Sequence, residues 1–137
     1  MAKESPNTLF RILYYPPVPE NVDGAVRSAP HEDINLITLL PAATAAGLQV
    51  KDLEGVWWDV DTNPGNIIVN AGDMLKEATG GYIPSTTHQV INPVGADASK
   101  PRYSAPLFVH ARGDVRLSER YTAQEYLIQR LKEIGIL

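Results

Sequence analysis

The stretch that decides the fold reads His31-Glu32-Asp33-Ile34-Asn35-Leu36-Ile37-Thr38-Leu39-Leu40 and stops at Pro41. Its second part is rich in β-branched and leucine residues, which predicts a strand that the proline ends. Its first part places a histidine and a carboxylate two residues apart at the entrance to that strand. Because alternate residues of a strand point to the same face, we expect His31 and Asp33 to reach one ion from a single strand, while Glu32 points away.

A second histidine, His88, completes a possible ligand set from another strand. Two imidazoles and one carboxylate form the facial triad that holds Fe(II) on one face and leaves the opposite positions open. An isolated His-x-Asp motif often occurs by chance, so the alternative of polar residues that only hydrogen-bond in loops stays open at this point. The sequence therefore offers a candidate iron site at His31, Asp33 and His88.

Arg102 and Ser104 repeat the spacing of two residues, with Tyr103 between them. On a strand the arginine and the serine would share a face, and Tyr103 would turn the other way. A guanidinium group pairs bidentately with a carboxylate, and a buried arginine is costly unless it is paired. We expect Arg102 and Ser104 to hold the carboxylate of an acid; a surface arginine in an ion pair is the alternative.

Composition restricts the classes of function. The chain has 137 residues, a formal net charge of −4 and a pI near 5.3, which fits one domain and argues against a nucleic-acid partner. The absence of a long apolar run argues against a membrane partner, and cytoplasmic location is the default expectation. Because the sequence has no cysteine, neither a disulfide nor a thiolate metal site is possible.

Short strand-like runs separated by turn residues continue to about residue 110, and a helical pattern follows. The spacing predicts a β-hairpin around Glu54-Gly55, a short helical turn at 73–79 with Asp73 as its N-cap, and a C-terminal helix that starts at a Thr122/Glu125 capping box. Many short strands favour a mainly β protein, an antiparallel jelly roll or barrel with the last helix outside the sheet. The predicted strands are 9–15, 34–40, 48–50, 56–60, 67–70, 88–91 and 103–110.

Several motifs in one order extend the first stretch: 31–40, 47–50, 69–75, 85–93 and 102–108. Together they resemble the Fe(II)/2-oxoglutarate-dependent dioxygenase superfamily, and more narrowly its isopenicillin N synthase-like branch, from about Leu9 to about Val115. The resemblance implies a double-stranded β-helix (a cupin-like jelly roll) with the iron site inside its mouth.

The resemblance also assigns roles to residues of this sequence. His31, Asp33 and His88 match the metal ligands, and Arg102 and Ser104 match the pair that holds the cosubstrate carboxylate. Tyr15 matches a tyrosine that hydrogen-bonds the cosubstrate in some members. Two positions depart from the family pattern: Leu13 stands where an asparagine is common, and Gln89 stands where an arginine often follows the distal histidine.

The activity implied by the resemblance is oxygenation of a small-molecule substrate with Fe(II), 2-oxoglutarate as cosubstrate and O2. The substrate would be hydroxylated or desaturated while succinate and CO2 are released. Two alternatives stay open: an isopenicillin N synthase-type oxidase that needs no 2-oxo acid, and a truncated, inactive metal-binding jelly roll. In the first of these, Arg102 and Ser104 would hold the carboxylate of the substrate itself.

Two further residues are weaker candidates for the substrate pocket. Arg27 precedes His31 by four residues and could meet an anionic substrate at the mouth, although a solvated loop arginine fits the pattern too. Tyr82 follows Gly80-Gly81 ahead of the distal-histidine strand, where a plain turn is an equal interpretation.

The branch usually carries a sizeable region before the strand that begins here at Leu9. We therefore expect residues 1–137 to form a single catalytic domain that lacks this N-terminal region. A sheet face left uncovered invites association, so self-association of the chain is a further expectation.

Overall fold

The computed structural model describes residues 1–20, 24–61 and 63–137. Short strands make up most of the chain before its C-terminal helix. No helix in these described ranges has the length and apolar character needed to cross a membrane. The elements are β1 (Leu9–Phe10), β2 (Leu13–Tyr15), β3 (Ser28–His31), β4 (Ile37–Pro41), β5 (Leu48–Lys51), β6 (Trp57–Asp59), β7 (Ile67–Ala71), α1 (Asp73–Ala78), β8 (His88–Val90), a 3-10 helix (Gly95–Ser99), β9 (Arg102–Ser104), β10 (Leu107–Val109) and α2 (Ala123–Glu133).

The strands form two four-stranded sheets and one two-stranded sheet. The orders are β1-β10-β4-β7, β3-β8-β5-β6 and β2-β9. Every pair of neighbours is antiparallel, and most neighbours are distant in sequence. This is the arrangement of a jelly roll, so the predicted fold class is confirmed, as is the β5–β6 hairpin.

The predicted strands 9–15 and 103–110 are each broken into two. The chain leaves one sheet after β1 and joins another at β2, and its partner breaks between β9 and β10. Pro106, which lies in that second break, has no N–H for a ladder, while its carbonyl oxygen accepts from the Arg11 amide at 3.0 Å. A proline opposite the first break therefore explains why both predictions of one continuous strand were wrong.

The sheet β1-β10-β4-β7 carries an apolar row on its outer face. Phe10 pairs with Leu107, Leu107 with Leu39, and Leu39 with Val69, so the four side chains cross the whole sheet. Phe10 is 58% exposed and Val69 is 63% exposed. Alternate positions on β4 and β7 place Thr38 and Asn70 on the inner face. We call the four outer residues the outer apolar row.

The buried apolar cluster lies where α2 packs against the turns beside α1. Tyr126 and Leu127 of α2 contact this cluster, which places the helix over the turns rather than over the outer apolar row. The predicted capping box is present, with Thr122 and Glu125 each serving the other's amide donor. The C-terminal helix is thus confirmed. The buried members of the cluster are Leu36, Met74, Ala111, Leu117 and Ala123.

Helix α1 begins differently from the prediction. Gly72, not Asp73, is the N-cap residue, and no side chain caps the helix. A Cβ at Gly72 would lie 2.2 Å from the backbone oxygen of Asn35, so only glycine fits this position. Asp73 instead pairs with Arg130 of α2, with 3.2 Å between Oδ2 and Nη2, and its amide donates to the Asp33 carbonyl at 2.8 Å. The start of α1 therefore holds the backbone of Asp33 in place.

Candidate metal centre

His31, Asp33 and His88 come together in the structure. One ligand atom from each lies within 4.8 Å of the other two. Asp33 Oδ1 is 4.0 Å from His31 Nε2 and 3.9 Å from His88 Nε2. The two histidines are register partners on β3 and β8, which places their ring centroids 4.3 Å apart.

The two residues of the His-x-Asp motif do not share a strand, contrary to the expectation. Strand β3 ends at His31, and Asp33 lies in the connection to β4, directly before the bend at 34–36. The bend exists because the Asp33 carbonyl accepts the Asp73 amide and the Asn35 carbonyl accepts the Met74 amide. Asp33 thus reaches the histidines from a turn that α1 fixes, not through strand alternation.

The hydrogen bonds of the imidazoles set their tautomers. His31 Nδ1 is 2.8 Å from the Ala29 carbonyl oxygen, and His88 Nδ1 is 3.1 Å from the Thr86 carbonyl oxygen. Because a carbonyl oxygen can only accept, each Nδ1 must carry the hydrogen. The Nε2 lone pairs of the neutral rings are then available to an ion beside Asp33.

The Asp33 carboxylate uses its two oxygens differently. Oδ2 accepts from Thr38 Oγ1 at 2.5 Å and from Asn70 Nδ2 at 3.2 Å. Asn35 Nδ2 donates to Thr38 Oγ1 at 2.8 Å, which directs the Thr38 hydroxyl hydrogen toward Asp33. Oδ1 is left to face the two imidazoles, as a monodentate metal ligand would.

Thr38 and Asn70 are site residues that the sequence interpretation missed. The sequence does carry a signal for them: Thr38 is the one polar residue of β4, and Asn70 is the one polar residue of β7. Both lie on the inner face as register partners. Polar residues facing a buried carboxylate are what a metal ligand of low exposure requires.

The donor set fits a first-row divalent metal ion. Two neutral imidazole nitrogens and one carboxylate oxygen suit non-haem Fe(II). In the described part of the chain this is the one group of three or more potential metal-ligating side chains close enough to share an ion. The His31 side chain is 45% exposed, against 15% for His88, so the site opens to solvent on the His31 side.

Arg102, Ser104 and Tyr15 lie together around the two-stranded sheet. Arg102 and Ser104 are 1% and 6% exposed, whereas Tyr103 is 47% exposed, so the expected alternation on β9 is present. Arg102 Nε donates to the Ala45 carbonyl at 3.0 Å, and its guanidinium carbon is 5.3 Å from the ring centroid of Tyr15. Arg102 Nη1 is buried and has no hydrogen-bond partner in the described residues.

The electrostatic environment of Arg102 favours an anion. Burial lowers the pKa of the Arg102 guanidinium, the positive charge of Arg27 also lowers it, and Tyr15 opposes the change. An arginine in a protein nevertheless stays protonated. A buried cation with an unfilled donor is stabilised when a carboxylate binds to it.

The weaker candidates occupy different surroundings. Arg27 is partly buried, and its Nη2 donates to the carbonyls of Lys100 at 3.0 Å and Pro16 at 3.4 Å. Tyr82 is 88% exposed. A place for Tyr82 in a substrate pocket stays a prediction.

Gln89 takes part in a row of side-chain amides across a sheet. Its Nε2 donates to Gln49 Oε1 at 2.8 Å, and Gln49 Nε2 donates to Asp59 Oδ1 at 3.0 Å. These residues are register partners on β8, β5 and β6. The departure at Gln89 thus leaves the three ligands untouched and ties the distal-histidine strand to its neighbours.

Fold and site together define a jelly roll with a two-histidine, one-carboxylate cluster and a buried arginine. The chain belongs to the 2OG-Fe(II) oxygenase superfamily, whose pattern matches residues 6–111. The resemblance seen in the sequence is confirmed at the level of the superfamily.

Known proteins agree with this assignment. A 2-oxoglutarate-dependent dioxygenase of Dothideomycetidae sp. (strain 11243) is 33% identical over 85% of the chain and 42% of its own length. A candidate oxygenase from Shewanella oneidensis is 57% identical, with a TM-score of 0.89 over 100% of this chain and 50% of its own. A full-length Neurospora crassa protein, solved in complex with alpha-KG, is 31% identical, with a TM-score of 0.80 over 92% of this chain and 45% of its own. The chain therefore spans half or less of the length of these relatives.

Proposed function

We propose that this chain supplies the catalytic jelly roll of an Fe(II)- and 2-oxoglutarate-dependent oxygenase. The reaction would hydroxylate or desaturate a small molecule and release succinate and CO2, and residues 1–137 would form one catalytic domain. The observation that carries the proposal is the convergence of two Nε2 atoms and Asp33 Oδ1 within 4.8 Å. Membership of the superfamily and the alpha-KG complex of the Neurospora crassa relative support it.

In this proposal His31, Asp33 and His88 hold the iron. When bound, iron supplies the activation of O2 that no side chain can provide. The Nδ1 hydrogen bonds fix the orientation of both imidazole rings with Nε2 toward the site, and Thr38 and Asn70 keep Asp33 Oδ1 turned toward them.

The cosubstrate side of the pocket would be formed by Arg102, Ser104 and Tyr15. Arg102 and Ser104 are buried and share a face, so they can hold the far carboxylate of 2-oxoglutarate away from water. Tyr15, whose ring centroid lies 5.3 Å from the Arg102 guanidinium carbon, would hydrogen-bond the cosubstrate beside it. The exposed His31 side leaves room for the substrate to approach, with Arg27 and Tyr82 as candidate contacts.

An anaerobic titration tests the proposal. Fe(II) is added to the protein, then 2-oxoglutarate, and the visible charge-transfer band of the chelate is followed. We expect the band in the wild type and a much weaker affinity for 2-oxoglutarate in Arg102→Gln, because that variant loses the buried charge. Arg112→Gln, a change at an exposed ion pair, is the matched control.

The outcomes of this titration separate the alternatives. Iron binding without the band would contradict 2-oxoglutarate dependence and support an oxidase in which Arg102 and Ser104 hold the substrate's own carboxylate. Failure to bind iron would contradict the metal centre and support an inactive jelly roll. Release of succinate in the presence of O2 would complete the positive case.

We also propose that the isolated chain self-associates through the outer apolar row. Phe10 and Val69 at the ends of the row are exposed, Leu107 and Leu39 between them are partly buried, and such an apolar row on a surface favours association. Sedimentation over a range of concentrations should show a dimer or larger species, and a monomer at every concentration would contradict this. The expected cytoplasmic location stays a prediction for cell fractionation.

A further inference from the structure

Two arginines at the two-stranded sheet have buried donors without partners. Arg102 has an unfilled Nη1, and Arg27 has an unfilled Nε and Nη1, in each case among the described residues. Donors that are buried and unpaired cost free energy in the folded state. An unfilled donor on a charged group costs more than one on a neutral group, so three of them in one region call for a ligand.

The hydrogen bonds of Arg27 place its guanidinium at the ends of the strands that carry Tyr15 and Arg102. Its Nη2 donates to the carbonyl of Lys100, two residues before Arg102 on the approach to β9, and to that of Pro16, which follows Tyr15 on β2. Tyr15 and Arg102 are register partners. Arg27 thus contacts the ends of both strands that carry the proposed carboxylate site, and its charge lowers the pKa of Arg102.

The two guanidinium groups have no carboxylate to separate their charges in the described part of the chain. Neither forms an ion pair with an aspartate or glutamate there. Asp23 lies outside the described residues, so a variant of it belongs in the test. The positive charge of Arg27 acts unfavourably on Arg102, and an anion bound near both groups would offset it.

We propose that Arg27 and Arg102 together bind one carboxylate, so that the site selects a 2-oxo diacid over a 2-oxo monoacid. This rests on the proposed function and deepens it, since Arg27 becomes a specificity residue for the cosubstrate rather than a contact for an anionic substrate. A carboxylate has enough lone pairs to accept from both guanidinium groups and from Ser104. The carbonyls that hold Arg27 leave its Nε and Nη1 free for this contact.

The test compares two 2-oxo acids that differ in the far carboxylate. Fe(II)-loaded protein is titrated anaerobically with 2-oxoglutarate and with 2-oxobutanoate, and the chelate band gives both dissociation constants. Arg27→Gln should weaken the binding of 2-oxoglutarate by about 10- to 100-fold, the range for a hydrogen bond to a charged group, and leave the affinity for 2-oxobutanoate unchanged. The affinity of Arg27→Lys for 2-oxoglutarate should lie between those of the wild type and Arg27→Gln. Asp23→Asn and the exposed Arg112→Gln should bind both acids as the wild type does.

A second readout does not depend on iron. Calorimetry of the metal-free protein with glutarate should show binding that Arg27→Gln and Arg102→Gln both weaken. If the chelate band never forms but glutarate binding depends on Arg27, the proposed oxygenase function fails and the shared carboxylate site stands.

Three results would overturn the inference. One is an Arg27→Gln variant that binds 2-oxoglutarate and glutarate as the wild type does. Another is a variant that loses affinity for both 2-oxo acids equally, since that change would not come from the far carboxylate. The last is a wild-type protein that binds neither glutarate nor 2-oxoglutarate.

Discussion

The two faces of the sheet β1-β10-β4-β7 differ in polarity, and the difference is the reverse of that in most sheets of soluble proteins. The inner face presents Thr38 and Asn70 to a buried carboxylate, and the outer face presents Leu39 and Val69, with Val69 63% exposed. A one-sided sheet usually has apolar residues inside and polar residues outside. The proposed metal site accounts for the polar inner face, and the outer apolar row is the kind of surface that commonly forms an interface.

The largest effect on Fe(II) affinity is expected from a substitution of Asp33, the carboxylate that the inner face supports. Asp33→Ala removes the one carboxylate of the cluster, so Fe(II) affinity should fall by more than about 100-fold, beyond the range seen for residues that only orient a ligand. Isothermal titration calorimetry with Fe(II) under anaerobic conditions measures this. Asp114→Asn, an exposed acid paired with Arg112, should bind iron as the wild type does. An Asp33 variant with unchanged affinity would remove Asp33 from the ligand set.

A reciprocal pair of substitutions tests the contrast of the two faces. Thr38→Val leaves Asp33 Oδ2 and the Asn35 amide short of a partner, so Fe(II) affinity should fall about 10- to 100-fold and stability by about 1–3 kcal/mol. Val69→Thr adds a hydroxyl to the outer face and should change stability by no more than about 0.5 kcal/mol. Chemical denaturation and iron titration measure both. Equal effects of the two changes would refute the distinction between the faces.

A charged substitution in the outer apolar row tests whether this row mediates self-association. Val69→Lys interrupts the outer apolar row at an exposed position, so it should shift the proposed self-association toward monomer while Fe(II) affinity stays the same. Sedimentation velocity gives the species present. Lys76→Gln, a change on α1 away from the row, serves as the control. Association that persists in the lysine variant would show that another surface is responsible.

The smallest effect on metal binding is expected from a substitution at the start of α2, away from both faces of the sheet. Thr122→Ala removes the side-chain acceptor at the start of α2 and should cost about 1 kcal/mol of stability. Helix α2 approaches the metal centre through the Arg130–Asp73 pair and through its share of the buried apolar cluster. Iron affinity should not change, because the Thr122 side chain hydrogen-bonds to Glu125 and to none of the three proposed ligands among the described residues. Thermal unfolding without Fe(II) measures the loss of stability, and the shift on adding Fe(II) reports the iron affinity. A loss of iron affinity would mean that the metal centre depends on α2 more closely than the contacts indicate.

Local patterns of residue chemistry and spacing predicted the mainly β fold class, and the order of motifs shared with the superfamily matched the distant His88 to His31 and Asp33, with which it clusters in the structure. Alternation on β9 correctly placed Arg102 and Ser104 on one buried face and Tyr103 on the other. The capping box correctly predicted the start of α2. These features depend on residues close together in sequence.

Predictions that depended on contacts distant in sequence were less successful. The sequence did not reveal that Asp33 lies directly before a bend, because that bend is held by amides of α1 some forty positions later. Gly72 replaced Asp73 as the N-cap for a similar reason, since the Asn35 backbone leaves no room for a Cβ. The break between β1 and β2 is set by Pro106 on a partner strand almost a hundred residues away.

The central claim is that His31, Asp33 and His88 bind one metal ion through two Nε2 atoms and Asp33 Oδ1. Anomalous diffraction at the iron edge, from crystals grown anaerobically with Fe(II), tests it most directly. We predict one strong peak within bonding distance of these three atoms, with Asp33 Oδ2 still held by Thr38 and Asn70. A peak elsewhere, for example in the pocket whose lining includes Glu32, Glu77 and Lys76, or no peak at all, would contradict the claim.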